Sequence, residues 1–281
     1  MGYGSSGEMK RVVAVNDISC FGKCSLTVAL PVISAFGVEA VPLPTAVLST
    51  HTGGFTGFTC LDMTDEMEKI IAHWKTVGFR CDGIYTGYFT CPRQVDITLD
   101  FIKDFANDDT VILVDPVMAD NGSLYTGFDT DFVKDMERLC KVSDVITPNI
   151  TEALLLAGLP YSPVLSRKTV EECMDRLRRM GLKKAVVTGV RLEENSIGYV
   201  CRDFERNENT EIFYPYEKMR LHGCGDVFAS VLCGGLVKNM PFADAVKKAA
   251  EFTERCIHTT EKDIENHWYG LKFEKNLMEG I

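Results

Sequence analysis

The stretch "RVVAVNDISCFGKCSLTVALPVISAFG", Arg11–Gly37, sets the pattern on which the fold turns. "RVVAVN" (Arg11–Asn16) is a short, continuously apolar run of the kind found in a strand buried on both faces. A polar step follows. "SLTVALPVISAFG" (Ser25–Gly37) then has helical character and is stopped by Gly37, with Pro31 near its first turns or kinking it.

The same alternation runs outward from there. "VEAVPLPTAVLST" reads as extended, broken by Pro42 and Pro44, and "TDEMEKIIAHWKTVG" as a helix with Thr64 expected at its N-cap. "DGIYTG", "TVILVDP", "SDVITPN" and "KAVVTG" are strands. "PRQVDITLDFIKDFA", "DTDFVKDMERLCK", "ITEALLLAG" and "TVEECMDRLRRMG" are the helices between them. "SIGYVCRD" and "TEIFYPY" form a hairpin, and two helices beginning at "DVFASVLCGG" and "FADAVKKAAE" close the core. Strands separated by such helices predict an α/β fold, with a mainly parallel sheet covered on both faces. Ligands in such folds bind outside the carboxyl ends of the strands. Polar or glycine-containing steps follow each strand: Asn16-Asp17, Ser49–Thr52, Thr86–Tyr88, Asp115-Pro116, Thr147–Asn149 and Thr188-Gly189.

Composition narrows the function class. A formal net charge of −10 over 281 residues disfavours a nucleic-acid or anionic-membrane binder. Eleven cysteines without a CxxC pair read as reduced thiols of a cytoplasmic protein. No apolar run reaches the ~20 residues that span a bilayer. "MGYGSSGE", residues 1–8, reads as an expression leader, with the native start expected at Met9 and one domain over residues 9–281.

Four motifs can carry chemistry. In "RLHGCGDVFAS", Gly223, Cys224 and Gly225 precede a helix, so backbone N–H groups and the helix dipole can converge on an anion. Asp226 at the first turn is either a cap or a base. In "LVDPVMADNGSLY", Asp115 and Asp120 suit Mg²⁺ beside a phosphate, or merely cap a loop. In "ITPNITEALLLAG", Asn149 and Glu152 have the spacing of a capping box, which would also point at the ligand crevice. In "LSTHTGGFTG", Thr52 and the glycines suit a flap over a small flat ligand, and His51 is either a base or ring contact or simply a hydrogen-bonded loop residue. No GxxxxGK[ST] loop is present, so a P-loop is excluded.

Together, "AVNDISCFG", "LSTHTGG", "YTGY", "VDPVMAD", "ITPNITEALLLAG", "VVTG" and "GCGDVFAS", in that order, resemble the ribokinase-like kinases and within them the pyridoxal kinase family. The resemblance implies a three-layer α/β/α sandwich, usually a homodimer, that transfers the ATP γ-phosphate to the hydroxymethyl group of a B6 vitamer. It implies that Asp226 is the base and that Gly223, Cys224 and Gly225 form the anion hole. It further implies that Asn149 and Glu152 hold phosphate and Mg²⁺ waters with Asp115 and Asp120 nearby, and that Thr188 contacts the triphosphate. Tyr125 would belong to the loop over ATP; Tyr88, Thr52 and His51 would lie near the ring; a monovalent cation such as K⁺ is a further expectation. An aspartate of ordinary acidity at position 226 would be ionised at pH 7.

Two positions depart from the pattern. Pyridoxal kinases usually carry serine where Asp17 stands, and Asp17 with Ser19 also resembles the start of hydroxymethylpyrimidine kinases. Cys224 takes a place usually held by threonine, alanine or valine; a thiol at a helix N-terminus is expected to have a depressed pKa and could add to the aldehyde of pyridoxal, but a small buried cysteine filling a threonine-sized space is the favoured reading. A hydroxymethylpyrimidine kinase of thiamine synthesis and a catalytically silent B6-binding protein are the competing readings.

Overall fold

The computed structural model describes residues 9–216 and 221–281. The leader expected over residues 1–8 lies outside them, as do the first residues of the hairpin-to-helix turn before Leu221.

The chain opens with β1 (Arg11–Phe21), α1 (Leu26–Ala35), β2 (Glu39–Thr50), β3 (Cys60–Asp62) and α2 (Thr64–Thr76). There follow β4 (Gly83–Thr86), α3 (Pro92–Phe105), β5 (Val111–Val114), the small strands β6 (Ala119–Asp120) and β7 (Ser123–Leu124), and α4 (Thr130–Lys141). The second half has β8 (Val145–Ile146), α5 (Ile150–Ala157), α6 (Arg167–Arg179), β9 (Lys184–Glu193), β10 (Ser196–Asp203) and β11 (Glu208–Pro215). It closes with α7 (Cys224–Val237), α8 (Phe242–Glu261), α9 (Ile264–His267) and α10 (Glu274–Met278).

Nine strands form one sheet in the order β11-β10-β9-β8-β5-β4-β1-β2-β3. The pairs from β9 across to β2 are parallel, and the two edges are antiparallel. The central strands are buried on both faces because alternate residues feed two cores. Val13, Val15 and Val114 pack with α2 to α6, whereas Val12, Ala14 and Leu113 pack with α1, α7 and α8. This is the α/β/α arrangement expected from the sequence.

Three local expectations change. β1 does not stop at Asn16. A register shift between Asn16 and Ile18 lets the strand continue to Phe21, so Asn16 and Asp17 sit at a bulge within it. Thr64 is the first residue of α2 rather than its cap: Met63 holds the cap position, and Asp62 Oδ1 accepts the Thr64 N–H at 2.8 Å. β9 runs past Thr188 and Gly189, whose φ of 70° turns the strand without ending it.

The segment 264–278 returns to the start of the sheet. Gly270 bridges Lys23, and Lys23 Nζ pairs with Glu274 at 2.7 Å. Among the described residues no helix is long and apolar enough to cross a membrane.

Candidate active site

The carboxyl ends of β1, β4, β5, β8 and β9 face the N-terminus of α7. Gly223 caps that helix with φ 82°. The Lys23 carbonyl oxygen packs so close that a Cβ there would approach it to 2.2 Å, so both conformation and space require glycine. The first-turn amides have no intrahelical acceptor and gather the positive end of the helix dipole.

Asp226 is half-buried in this first turn. Burial raises its pKa to about 7, and the charge of Asp17 adds to the rise; the Ser25 amide and the Asn16 side chain pull it back. The ordinary acidity expected from sequence is therefore corrected: the carboxylate has left water for a site with another acid close by. The expectation for Cys224 is reversed too. Burial pushes its thiol up to about 12, with Asp226 adding to the effect. The helix dipole is outweighed, and Sγ sits 3.7 Å from the Leu221 carbonyl oxygen.

Opposite Gly225 is Asp115, just past β5. A Cβ on Gly225 would lie 3.8 Å from Asp115 Oδ2, with nothing closer. Burial and the Asp226 charge raise the Asp115 carboxyl well above its usual range. Glu152 is raised in turn by burial and by Asp115. Its Oε1 accepts the N–H of Met118 at 3.0 Å and of Ala119 at 3.4 Å, and its Oε2 accepts that of Asn149 at 2.8 Å. Asn149 Oδ1 accepts the Glu152 N–H at 3.0 Å, completing the capping box at the head of α5. The box thus does both things the sequence left open: it caps α5 and fixes a carboxylate beside Asp115.

Asp226, Asp115 and Glu152 form a row in which charge on one disfavours charge on the next. Such a row fits a divalent cation that comes with phosphate oxygens and water. Among the described residues no three His, Cys, Asp or Glu side chains are arranged to hold a metal alone. Thr86 Oγ1, at the end of β4, is buried without a hydrogen-bond partner, which also leaves polar capacity for a ligand, whereas the Thr147 hydroxyl at the end of β8 hydrogen-bonds Asp115 and opposes the rise of its carboxyl. Thr188 is bridged to Asn149, and its N–H donates to the Pro148 carbonyl at 2.9 Å. Asp120 stands apart, exposed at the β6–β7 turn, with its oxygens taken by Asn121. Tyr125 reaches toward the row: burial raises its phenol, and Glu152, Asp120, Asp115 and Asp226 all add to the rise.

The other end of the cleft is built on the β1 bulge. Asn16 Oδ1 accepts the N–H of Asp17 at 3.0 Å and of Tyr88 at 2.8 Å, tying β1 to the step after β4. Asp17 is buried, which raises its pKa, while the Ser25 and Ser19 hydroxyls oppose the rise. Those hydroxyls donate to Oδ1 at 2.5 Å and to Oδ2 at 2.8 Å. His51 accepts the Gly53 N–H on Nδ1 at 3.0 Å, so Nε2 carries the proton and donates to the Tyr269 carbonyl at 2.6 Å. Burial lowers its pKa, and with both nitrogens used it braces the flap. Thr52, next to it, is exposed. Tyr88 is half-buried, its phenol pushed up to about 12 by burial and then by Asp17.

Sequence reading named Asn16 only as part of the polar step after the first strand and did not single out Ser25 or Cys24. Cys24 lies between the two ends: burial raises its thiol, and Asp226 and Asp17 add to the effect. Its only signal was its place in the first strand-to-helix step.

Residues 28–270 match the family described as phosphomethylpyrimidine kinase. The chain belongs to that family. It is accordingly a phosphotransferase acting on an alcohol group. Among solved structures, a Bacteroides thetaiotaomicron protein assigned as a phosphomethylpyrimidine kinase, in a crystal form with pyridoxal, is 39% identical. It superposes with a TM-score of 0.91 over 97% of this chain and 96% of that one. The pyridoxal kinase PdxY of Corynebacterium diphtheriae is 26% identical over 89% of this chain and 89% of its own length. The Arabidopsis thaliana thiamine biosynthetic bifunctional enzyme TH1 is 27% identical over 86% of this chain, which spans only 47% of that enzyme. Relatives of both vitamin branches thus share this kinase fold.

Proposed function

We propose that the protein phosphorylates the 5′-hydroxymethyl group of a B6 vitamer (pyridoxal, pyridoxamine or pyridoxine) with ATP, in vitamin B6 salvage. The observation that carries this reading is that Asp226 at the head of α7 lies beside the buried Asp17 carboxylate, with the Asn16 side chain reaching both Asp226 and the Tyr88 amide. Phosphoryl transfer rests mainly on positioning and charge stabilisation, and this cleft offers both. The alcohol oxygen attacks the γ-phosphorus as the bond to the ADP oxygen breaks, and the alcohol proton passes to Asp226. A carboxylate with pKa about 7 suits that exchange near neutral pH. The amides at Gly223, Cys224 and Gly225 would hold the transferring group. Asn149, Thr188 and Tyr125 are assigned to the ATP side. Asp115 and Glu152 would hold Mg²⁺ through water, with Asp120 at the solvent margin; the cation would offset phosphate charge. A K⁺ requirement, a homodimer and a cytoplasmic location complete the reading.

A second reading has its own observation. The buried Asp17 carboxylate suits an aminopyrimidine, so hydroxymethylpyrimidine is the competing substrate. An ADP-release assay over pyridoxal, pyridoxamine, pyridoxine, hydroxymethylpyrimidine and ribose, with Asp226→Asn as control, separates them. Turnover of hydroxymethylpyrimidine alone would overturn the B6 assignment.

A further inference from the structure

Ser25 is a buried, non-glycine residue with φ 57° and ψ −131°, a conformation that L side chains rarely adopt. Such a conformation persists only where its surroundings hold it. Here the Ser25 hydroxyl donates to Asp17 Oδ1 at 2.5 Å. Two residues earlier, the Lys23 carbonyl is wedged against Gly223, and Cys24 Sγ would lie 3.9 Å from a Cβ on that glycine. The Ser25 amide, on the same turn, favours the charged form of Asp226. The turn 23–25 therefore touches the ring end of the cleft through a side chain and the phosphoryl end through its backbone.

We propose that Ser25 is a positioning residue: through its hydroxyl, Asp17 holds the turn 23–25 in its strained conformation and so keeps the Ser25 amide aimed at Asp226. This rests on the functional reading above. It goes beyond it by making Asp17 act on the transfer step as well as on the ring. The titratable groups that face Asp226 around this turn are Asp17, Asp115, Cys24, Cys224, Tyr85 and Tyr125. None of them supplies the contact that Ser25 makes through its main chain.

The test compares Ser25→Ala, Ser25→Gly, Asp17→Ala and the Ser25→Ala/Asp17→Ala double variant. Ser25→Ala keeps the Cβ but loses the tether, and its kcat is expected to fall about tenfold or more, with KM for ATP unchanged. Ser25→Gly also loses the tether but favours positive φ, so it should recover most of the wild-type kcat. The kcat of the double variant should be no lower than that of the slower single variant. Equal loss in the Ala and Gly variants, or multiplicative losses in the double variant, would overturn the proposal. If the wild type turns over neither a pyridine nor a pyrimidine alcohol, the functional reading fails and the inference is decided by NMR. The Ser25 amide resonance should then shift in both Asp17→Ala and Asp226→Asn. A resonance that ignores either change sinks the inference.

Discussion

The carbonyl oxygen of Lys23 stands 2.2 Å from the point a Cβ on Gly223 would occupy. The obstacle is backbone, and it belongs to a turn pinned by Gly270 and Ser25, so it cannot swing aside. Gly223→Ala must therefore displace either the turn or the head of α7, and a drop in kcat of about 10²-fold or more is expected. Gly225→Ala meets only Asp115 Oδ2 at 3.8 Å, an ordinary contact, and should lose much less. Steady-state kinetics on the two variants checks the order.

Asp226→Asn removes the proposed base. Loss of about 10²–10⁴-fold in kcat is expected. In the wild type, the acidic limb of kcat/KM should fall near pH 7, where Asp226 titrates, with the rate rising as the carboxyl loses its proton. A limb near pH 4 would show that burial does not shift this group in solution.

The same shift has a consequence for stability. The folded pKa of Asp226 lies above its unfolded value, so the folded state binds the proton more tightly. The contribution is complete below the unfolded pKa of 3.8 and is lost as pH rises through about 7. Asp226→Asn should accordingly raise Tm at pH 8 by roughly 2–6 °C and change it little at pH 4. Calorimetry at the two pH values is the measurement.

Gly87 faces the Asn16 side chain, and a Cβ there would approach Asn16 Nδ2 to 2.2 Å. Gly87→Ala should push Asn16 off the amides of Asp17 and Tyr88. KM for the alcohol is expected to rise about tenfold or more while KM for ATP stays near wild type. Equal rises in both would show that the Asn16 hinge serves the whole cleft.

Cys224 should resist alkylation at pH 7.5, because its thiol is pushed up to about 12. Cys20 and Cys60 are exposed and should take up iodoacetamide first. Peptide mass spectrometry over time gives the order, and early labelling of Cys224 would contradict its burial.

The alternation of strands and helices was legible because a central strand of a parallel sheet is apolar on both faces, as in "RVVAVN" and "VILV". The candidate acids were legible for a related reason: Asp115, Asn149 and Asp226 end or begin elements, where composition changes abruptly. Asn16 and Ser25 were not. An asparagine at a bulge and a serine at positive φ leave no local pattern, since tertiary contacts impose both conformations. The cap of α2 was misplaced because Asp62 and Thr64 are both cap formers two residues apart. For Cys224 the helix N-terminus visible in sequence argued for a depressed pKa, whereas burial, which a threonine-sized packing role implies, pushes the thiol up.

The bridge between Lys23 and Gly270 bears on how the protein is made as well as on how it works. Lys23 also reaches Glu274, 251 residues later, and the flap residue His51 leans on Tyr269. The turn that carries Ser25 emerges from the ribosome about 250 residues before the contacts that brace it. Most of the sheet can assemble during translation, but the substrate end of the cleft cannot be completed until residues 269–274 have emerged. A nascent chain should therefore acquire its fold before it acquires its pocket.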